Sequence, residues 1–300
     1  LRIWESDKDE YYIKYLAAQK LPNPPQTQPM SVGSAFDAHV KAFLYGRLVK
    51  GGDARYEFEA LFESQVEKHN RDWARIAGQV AFDAYKYSGA LSDLMIELEL
   101  ATTTIRMEFD VRRTVGGVPL MGKPDCYFVS SEGARCIFDF KVNGYCAASP
   151  VSPAKGYIKV RDGWGLAVAP ASKNRGPHPK ALMTKFKGIT INTAETMESV
   201  NDEWADQLLI YAWALGEEPG SENLISGIEQ LCGCGKSPQL LRIASHRVGI
   251  SYEYQMGLLQ RLKSAWAGIN SQGPRPELDD KVEAILAMGD AGLLINDARN

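Results

Sequence analysis

Three hundred residues can bury one large core or two smaller ones, and 45% apolar with 24% charged residues is an ordinary globular composition. A net charge of −3 with a pI near 5.9 excludes a chain-wide basic footprint, so charge has to be read segment by segment. No apolar run reaches membrane-span length and Leu1-Arg2-Ile3-Trp4-Glu5 has no signal-peptide pattern; the expectation is a cytoplasmic protein without membrane contact, bacterial or, if phage-encoded, in the host.

Residues 7–20 read as a Tyr-rich helix that Leu21-Pro22-Asn23-Pro24-Pro25 ends. Ser31 is the expected N-cap of a second helix running to about Gly46, and further helical patterns follow near 53–69 and 71–86. After residue 93 the period changes. Residues 96–100 and 104–111 read as strands, the latter alternating Ile105, Met107, Phe109 with Arg106, Glu108, Asp110. Gly116-Gly117 turns the chain, and strands over 118–129 and 134–142 flank the turn Ser131-Glu132-Gly133. Residues 143–200 have little periodicity and carry eight Lys/Arg against three Asp/Glu, a basic insertion. A helix over 202–215, strands near 224–231 and 239–248, and helices near 252–269 and 279–288 complete the chain. The whole predicts a single α+β domain over 1–300: a helical opening, an antiparallel meander, then mixed helices and strands.

The turn at Ser131-Glu132-Gly133 sets Asp125 opposite Asp139 on the neighbouring strand. Like charges directly opposed destabilise a sheet, so this pair asks for a cation. Lys141 shares the face of Asp139, while Phe138, Phe140 and Val142 point to the other side. Two acids with a lysine suit phosphodiester hydrolysis, in which carboxylates hold Mg²⁺ or Mn²⁺ and the lysine orients water or stabilises charge. A surface ion-pair cluster fits the same spacing. His39 has Ala35, Phe36, Ala42 and Phe43 as its helix-face neighbours, which fits either a core histidine or a nitrogen ligand turned toward the meander. Gln207 and Tyr211 lie one helical turn apart and can reach a common point.

His39, Gly122-Lys123-Pro124-Asp125, Asp139-Phe140-Lys141 and Gln207-Leu208-Leu209-Ile210-Tyr211, in that order, resemble the RecB-type, exonuclease-like branch of the PD-(D/E)XK nuclease superfamily over roughly residues 31–270. The resemblance implies an α/β/α restriction-endonuclease-like core whose central mixed sheet is flanked by helices. It implies His39, Asp125, Asp139 and the Phe140 carbonyl as ligands of Mg²⁺ or Mn²⁺, with Lys141 as the catalytic lysine. Gln207 and Tyr211 would contact the DNA backbone or steady the lysine and acid, and Glu108 is an additional acid. DNA is the implied partner, together with a recombination or single-strand-binding protein, in recombination, repair or phage DNA metabolism. An exonuclease or end-processing activity is favoured; an endonuclease, or a DNA-binding subunit that merely keeps the fold, are the alternatives.

Some relatives carry an iron–sulfur cluster on one early and several late cysteines. Here the five cysteines lie between Cys126 and Cys234, so no cluster is expected, and reduced thiols are the simplest reading. The basic insertion is longer than such a core needs, and Lys180, Lys185 and Lys187 are expected to line a DNA path. Gly235-Lys236-Ser237 lacks the opening glycine of a phosphate-binding loop.

Overall fold

The computed structural model describes residues 1–49, 52–163, 182–235 and 240–297, with side chains described as far as residue 288. In chain order the elements are α1 (Arg2–Ser6), α2 (Lys8–Tyr11) with a π-turn over Tyr12–Leu16, α3 (Gln28–Leu48), α4 (Phe58–Gln65), α5 (Arg71–Tyr87) and α6 (Ala90–Glu99). Then come β1 (Arg106–Met107), β2 (Val111–Val115), β3 (Val118–Gly122), β4 (Cys126–Val129), β5 (Arg135–Asn143) and β6 (Tyr157–Asp162). They are followed by β7 (Met183–Phe186), β8 (Ile189–Asn192), α7 (Met197–Val200), α8 (Asp202–Ala214), β9 (Leu224–Cys232), β10 (Arg242–Val248), α9 (Tyr252–Ser271) and α10 (Pro276–Asp297).

The fold is α+β. Six strands form one mixed sheet in the order β1-β4-β5-β9-β10-β6; β5 and β9 are parallel and the other neighbours antiparallel. Phe138 and Phe140 on one face of β5 enter a core with Phe36, Val40 and Leu44 of α3, Tyr85 of α5 and Leu94 and Leu98 of α6. The opposite face carries Asp139 and Lys141 and meets α8. Contacts group the chain into two compact units. The larger covers 26–115 and 119–256; the smaller covers 1–25, 116–118 and 257–300. In the smaller unit Tyr12, Ala17, Leu278 and Val282 share an apolar cluster, and the Tyr12 hydroxyl donates to Asp279 at 3.0 Å.

Several expected elements are corrected. Residues 96–99 belong to helix α6, with Leu100 as its C-cap, and not to a strand: Leu91, Leu94 and Leu98 are buried at helical spacing while Ile96 and Leu100 are exposed. The strand expected over 118–129 is interrupted at Lys123-Pro124-Asp125, because proline has no N–H for a ladder. β2 and β3 consequently form their own two-stranded ladder. The first long helix begins at Gln28 with Thr27 at its cap, and the Ser31 hydroxyl donates back to the Thr27 carbonyl at 3.0 Å. The basic insertion is not one loop: it supplies the edge strand β6, the hairpin β7–β8 and α7, while 164–181 lie outside the described residues.

Gly227 of β9 sits between Phe138 of β5 and Arg247 of β10 in one cross-sheet row. The Arg247 guanidinium lies 4.0 Å from the Phe138 ring centre, and a Cβ on Gly227 would meet that ring at 2.1 Å. Gly227→Ala therefore overpacks the core even though alanine suits a strand no worse than glycine. We expect a loss of about 1–3 kcal/mol by urea denaturation; an unchanged midpoint would contradict this packing.

Candidate metal centre

The centre forms where the β4–β5 ladder runs out. The strands pair from Val129↔Arg135 to Cys126↔Phe138, and the same register continued by one step sets Asp125 against Asp139. Past the last pair, the Phe140 amide donates to the Asp125 side chain at 3.0 Å. A residue in extended chain turns its N–H and C=O toward the same neighbour, so the Phe140 carbonyl faces this edge as well.

From α3, Asp37 and Lys41 point one helical turn apart toward this edge. Lys41, with a side chain only 1% exposed, places Nζ 2.6 Å from Asp37 and 2.7 Å from Asp125, and it also contacts Glu108. Glu108 directly follows β1 with φ of 50°, a left-handed backbone that a non-glycine residue holds at a cost and that concentrates at functional sites. Lys123 pairs with Glu108 as well. One carboxylate oxygen from each of Asp37, Glu108 and Asp125 lies within 4.8 Å of the others.

From α8, Gln207 reaches the same place. Lys141 contacts Asp139 and donates to the Gln207 side-chain Oε1 at 2.9 Å. The Gln207 amide nitrogen donates to the Tyr211 hydroxyl at 2.8 Å and lies 3.3 Å from Asp139. Tyr211 fits because residue 122 is glycine: a Cβ there would stand 2.4 Å from the tyrosine ring.

Burial sets the protonation balance. It pushes the Asp139 carboxyl well above the usual range, and the Asp125 charge adds to the effect. Burial also raises Asp37, to about 7, against the pull of Lys41. For Asp125 the burial effect is outweighed by Lys41 and by the hydrogen bonds it accepts, so it stays ionised below the usual range. Burial opposes the charge on Lys41, but Asp125, Asp37 and Glu108 together hold its pKa well above normal. The two facing acids are thus shifted in opposite directions, Asp125 down and Asp139 up.

Asp125, Asp139, Phe140, Lys141, Gln207, Tyr211 and Glu108 are brought together. His39 is not. Its ring stacks on Phe58 at 3.9 Å and on Phe82 at 5.3 Å. Two residues along a helix from Asp37, it projects to a nearly opposite side, toward α4 and α5. Burial there lowers its pKa to about 4, and the neutral ring packs on Phe58 and Phe82 and not among the carboxylates.

Lys185 and Lys187 are not at the centre either. They belong to the β7–β8 hairpin, whose Lys187 carbonyl accepts from Ser130 at 2.6 Å, at the β4–β5 turn. That turn is some six residues, about 20 Å, from Asp139 along β5. Lys159 and Arg161 of the same insertion pair with Asp93 at 2.9 and 2.7 Å. Lys180 lies outside the described residues.

Sequence reasoning missed Asp37 and Lys41. Their signal was an acid and a lysine four apart among the apolar residues Phe36, Val40 and Leu44 of one helix. Comparison of the chain with family models, curated proteins and solved structures finds no match.

Lys41→Met would leave three carboxylates facing one another in a buried site. We expect it to destabilise the protein by about 3–5 kcal/mol in EDTA, with much of the loss recovered in Mn²⁺, as read by thermal unfolding. Equal losses in both conditions would mean that the cluster takes up no ion. His39→Phe, by contrast, should leave Mn²⁺ binding by calorimetry unchanged; a large loss would return His39 to the centre.

Proposed function

We propose that this chain is a divalent-metal-dependent nuclease that hydrolyses DNA phosphodiester bonds at or near strand ends, on the pattern of the RecB-type PD-(D/E)XK nucleases. The observation that carries the reading is the meeting of Asp125, Asp139 and Lys141 with Gln207 and Tyr211 at one strand end. These residues are far apart in the chain, and a passive surface ion-pair cluster would not need to bury Asp139 to 3% exposure.

The donor set fits a hard ion. Asp37, Glu108 and Asp125 offer only carboxylate oxygen, and Asp37 keeps one oxygen buried without a hydrogen-bond partner. These three, with Asp139 and the Phe140 carbonyl, would hold Mg²⁺ or Mn²⁺. When bound, such an ion acidifies water and draws charge from the phosphoryl oxygens. The protein's own groups supply the rest. Lys141 donates to the Gln207 side-chain oxygen and lies against Asp139, and its ammonium keeps N–H capacity for the attacking water or the phosphate. Gln207 is a positioning residue, since it holds the lysine on one side and Tyr211 on the other. Asp139 is steadied for that ligand role by Lys141, which lies against it, and by the Gln207 amide nitrogen at 3.3 Å.

End-labelled linear DNA and closed circular DNA, incubated with Mg²⁺, Mn²⁺ or EDTA, test the reading. Metal-dependent loss of label from linear substrate is expected, with the closed circle resistant. Asp125→Asn and Lys141→Ala should each reduce cleavage by roughly a hundredfold or more while the fold persists. Undiminished cleavage by Lys141→Ala would sink the assignment.

A further inference from the structure

Beside the carboxylates lies a cleft of about 350 Å³, bounded by the 3₁₀ turn Ala54–Tyr56 and α4 and reaching Glu108 and Lys123. Its volume is at the low end for small-molecule sites, enough for one nucleotide unit and too little for a base pair. Its walls supply each kind of contact that such a unit needs. Arg55 and Lys123 are cations at the rim, with side chains 84% and 54% exposed. The Asp53 carboxylate that pairs with Arg55 is half-buried, but the Arg55 side chain is open to solvent, so a phosphate can compete for it.

Tyr56 is rigid: its ring stacks on Tyr45 at 4.0 Å and its hydroxyl donates to the Met107 carbonyl at 2.9 Å. That bond ties the cleft wall to the residue preceding Glu108. Gln65 lines the cleft with its side-chain oxygen buried and without a hydrogen-bond partner, an acceptor suited to a base N–H. Cations, a fixed aromatic ring and an unsatisfied amide next to a carboxylate cluster make up the contact set of a single-strand site.

We propose that this cleft seats one nucleotide of a single nucleic-acid strand and so delivers the neighbouring phosphate to the carboxylates; the inference rests on the nuclease reading above. Seating would direct single-stranded ends, not intact duplex, to the centre.

The test uses fluorescence anisotropy in EDTA with labelled oligothymidine of roughly twelve nucleotides and a blunt duplex of similar length. Ala60 is exposed and lines the cleft, so Ala60→Trp fills it from the surface without disturbing the core. Ala60→Trp and Arg55→Ala should each weaken oligothymidine binding by roughly fivefold to tenfold. Duplex binding and Mn²⁺ binding by calorimetry should stay unchanged. Wild-type oligothymidine affinity in both variants overturns the proposal, as does equal weakening for duplex. The two readings fail separately. A wild-type protein that binds single strands through Arg55 but never cleaves keeps the cleft and loses the hydrolase. Cleavage with an unaltered KM in both variants keeps the hydrolase and loses the cleft.

Discussion

The register of β4 on β5 forces Asp125 and Asp139 to face each other at a buried strand end, and the surrounding structure is organised by that repulsion. Two ammonium groups answer it from opposite sides of the sheet. Lys41 of α3 approaches Asp125, and Lys141 of β5 lies against Asp139. The Phe140 amide is diverted from the ladder to the Asp125 carboxylate, and Gln207 fixes the lysine that neutralises Asp139. Each of these contacts is intelligible as a response to two acids that the chain cannot separate without breaking its own hairpin.

A second buried charge network on the other face of the sheet shows why burial alone does not mark a site. Arg247, buried beside Phe138, donates to Glu97 at 3.1 and 2.9 Å, to Glu229 at 2.6 Å and to the His246 carbonyl at 2.8 Å. Burial raises Glu229 just as it raises Asp139, yet Glu229 also accepts from Ser245 at 2.9 Å. The guanidinium fork pairs both carboxylates, so each acid of this network has a cation or hydroxyl donor and none faces another acid across a strand pair. The carboxylate cluster instead gathers Asp37, Glu108, Asp125 and Asp139 around three lysines, with one Asp37 oxygen left over. The convergence of several carboxylates, and not perturbed acidity, distinguishes the two.

The β4–β5 hairpin, its register and the grouping of Asp125, Asp139 and Lys141 were legible in the sequence because they follow from strict local periods, whereas the approach of Gln207 and Tyr211 to them was implied only by the family resemblance. Residues 96–100 were misread because Ile96, Leu98 and Leu100 alternate with Glu97 and Glu99, a pattern that a short helix with Leu94 and Leu98 inward reproduces. Asp37 and His39 sit on one helix, and which of them faces the sheet depends on how α4 and α5 cover the remaining side. That is a tertiary choice, and Phe58 and Phe82 make it by enclosing the imidazole. The basic count of the insertion was correct, but its geometry was not contained in the count. The turn Lys187-Gly188, both residues with positive φ, folds those lysines back onto the far end of β5.

Placing Asp37 where His39 was expected alters the chemistry of the proposed nuclease. A histidine ligand would have favoured softer ions, because imidazole suits Mn²⁺, Fe²⁺ or Zn²⁺ better than Mg²⁺. With Asp37, Glu108 and Asp125 the donors are all carboxylate oxygen, the set that suits a hard ion retaining part of its water shell. Lys41 then acquires a definite role before any ion binds. Its ammonium is a tethered cation that keeps three acids converged, so the carboxylates do not need an ion in order to fold into place. An arriving ion must share those oxygens with Lys41 or displace it, and the site is therefore preorganised in shape while still opposing occupation in charge.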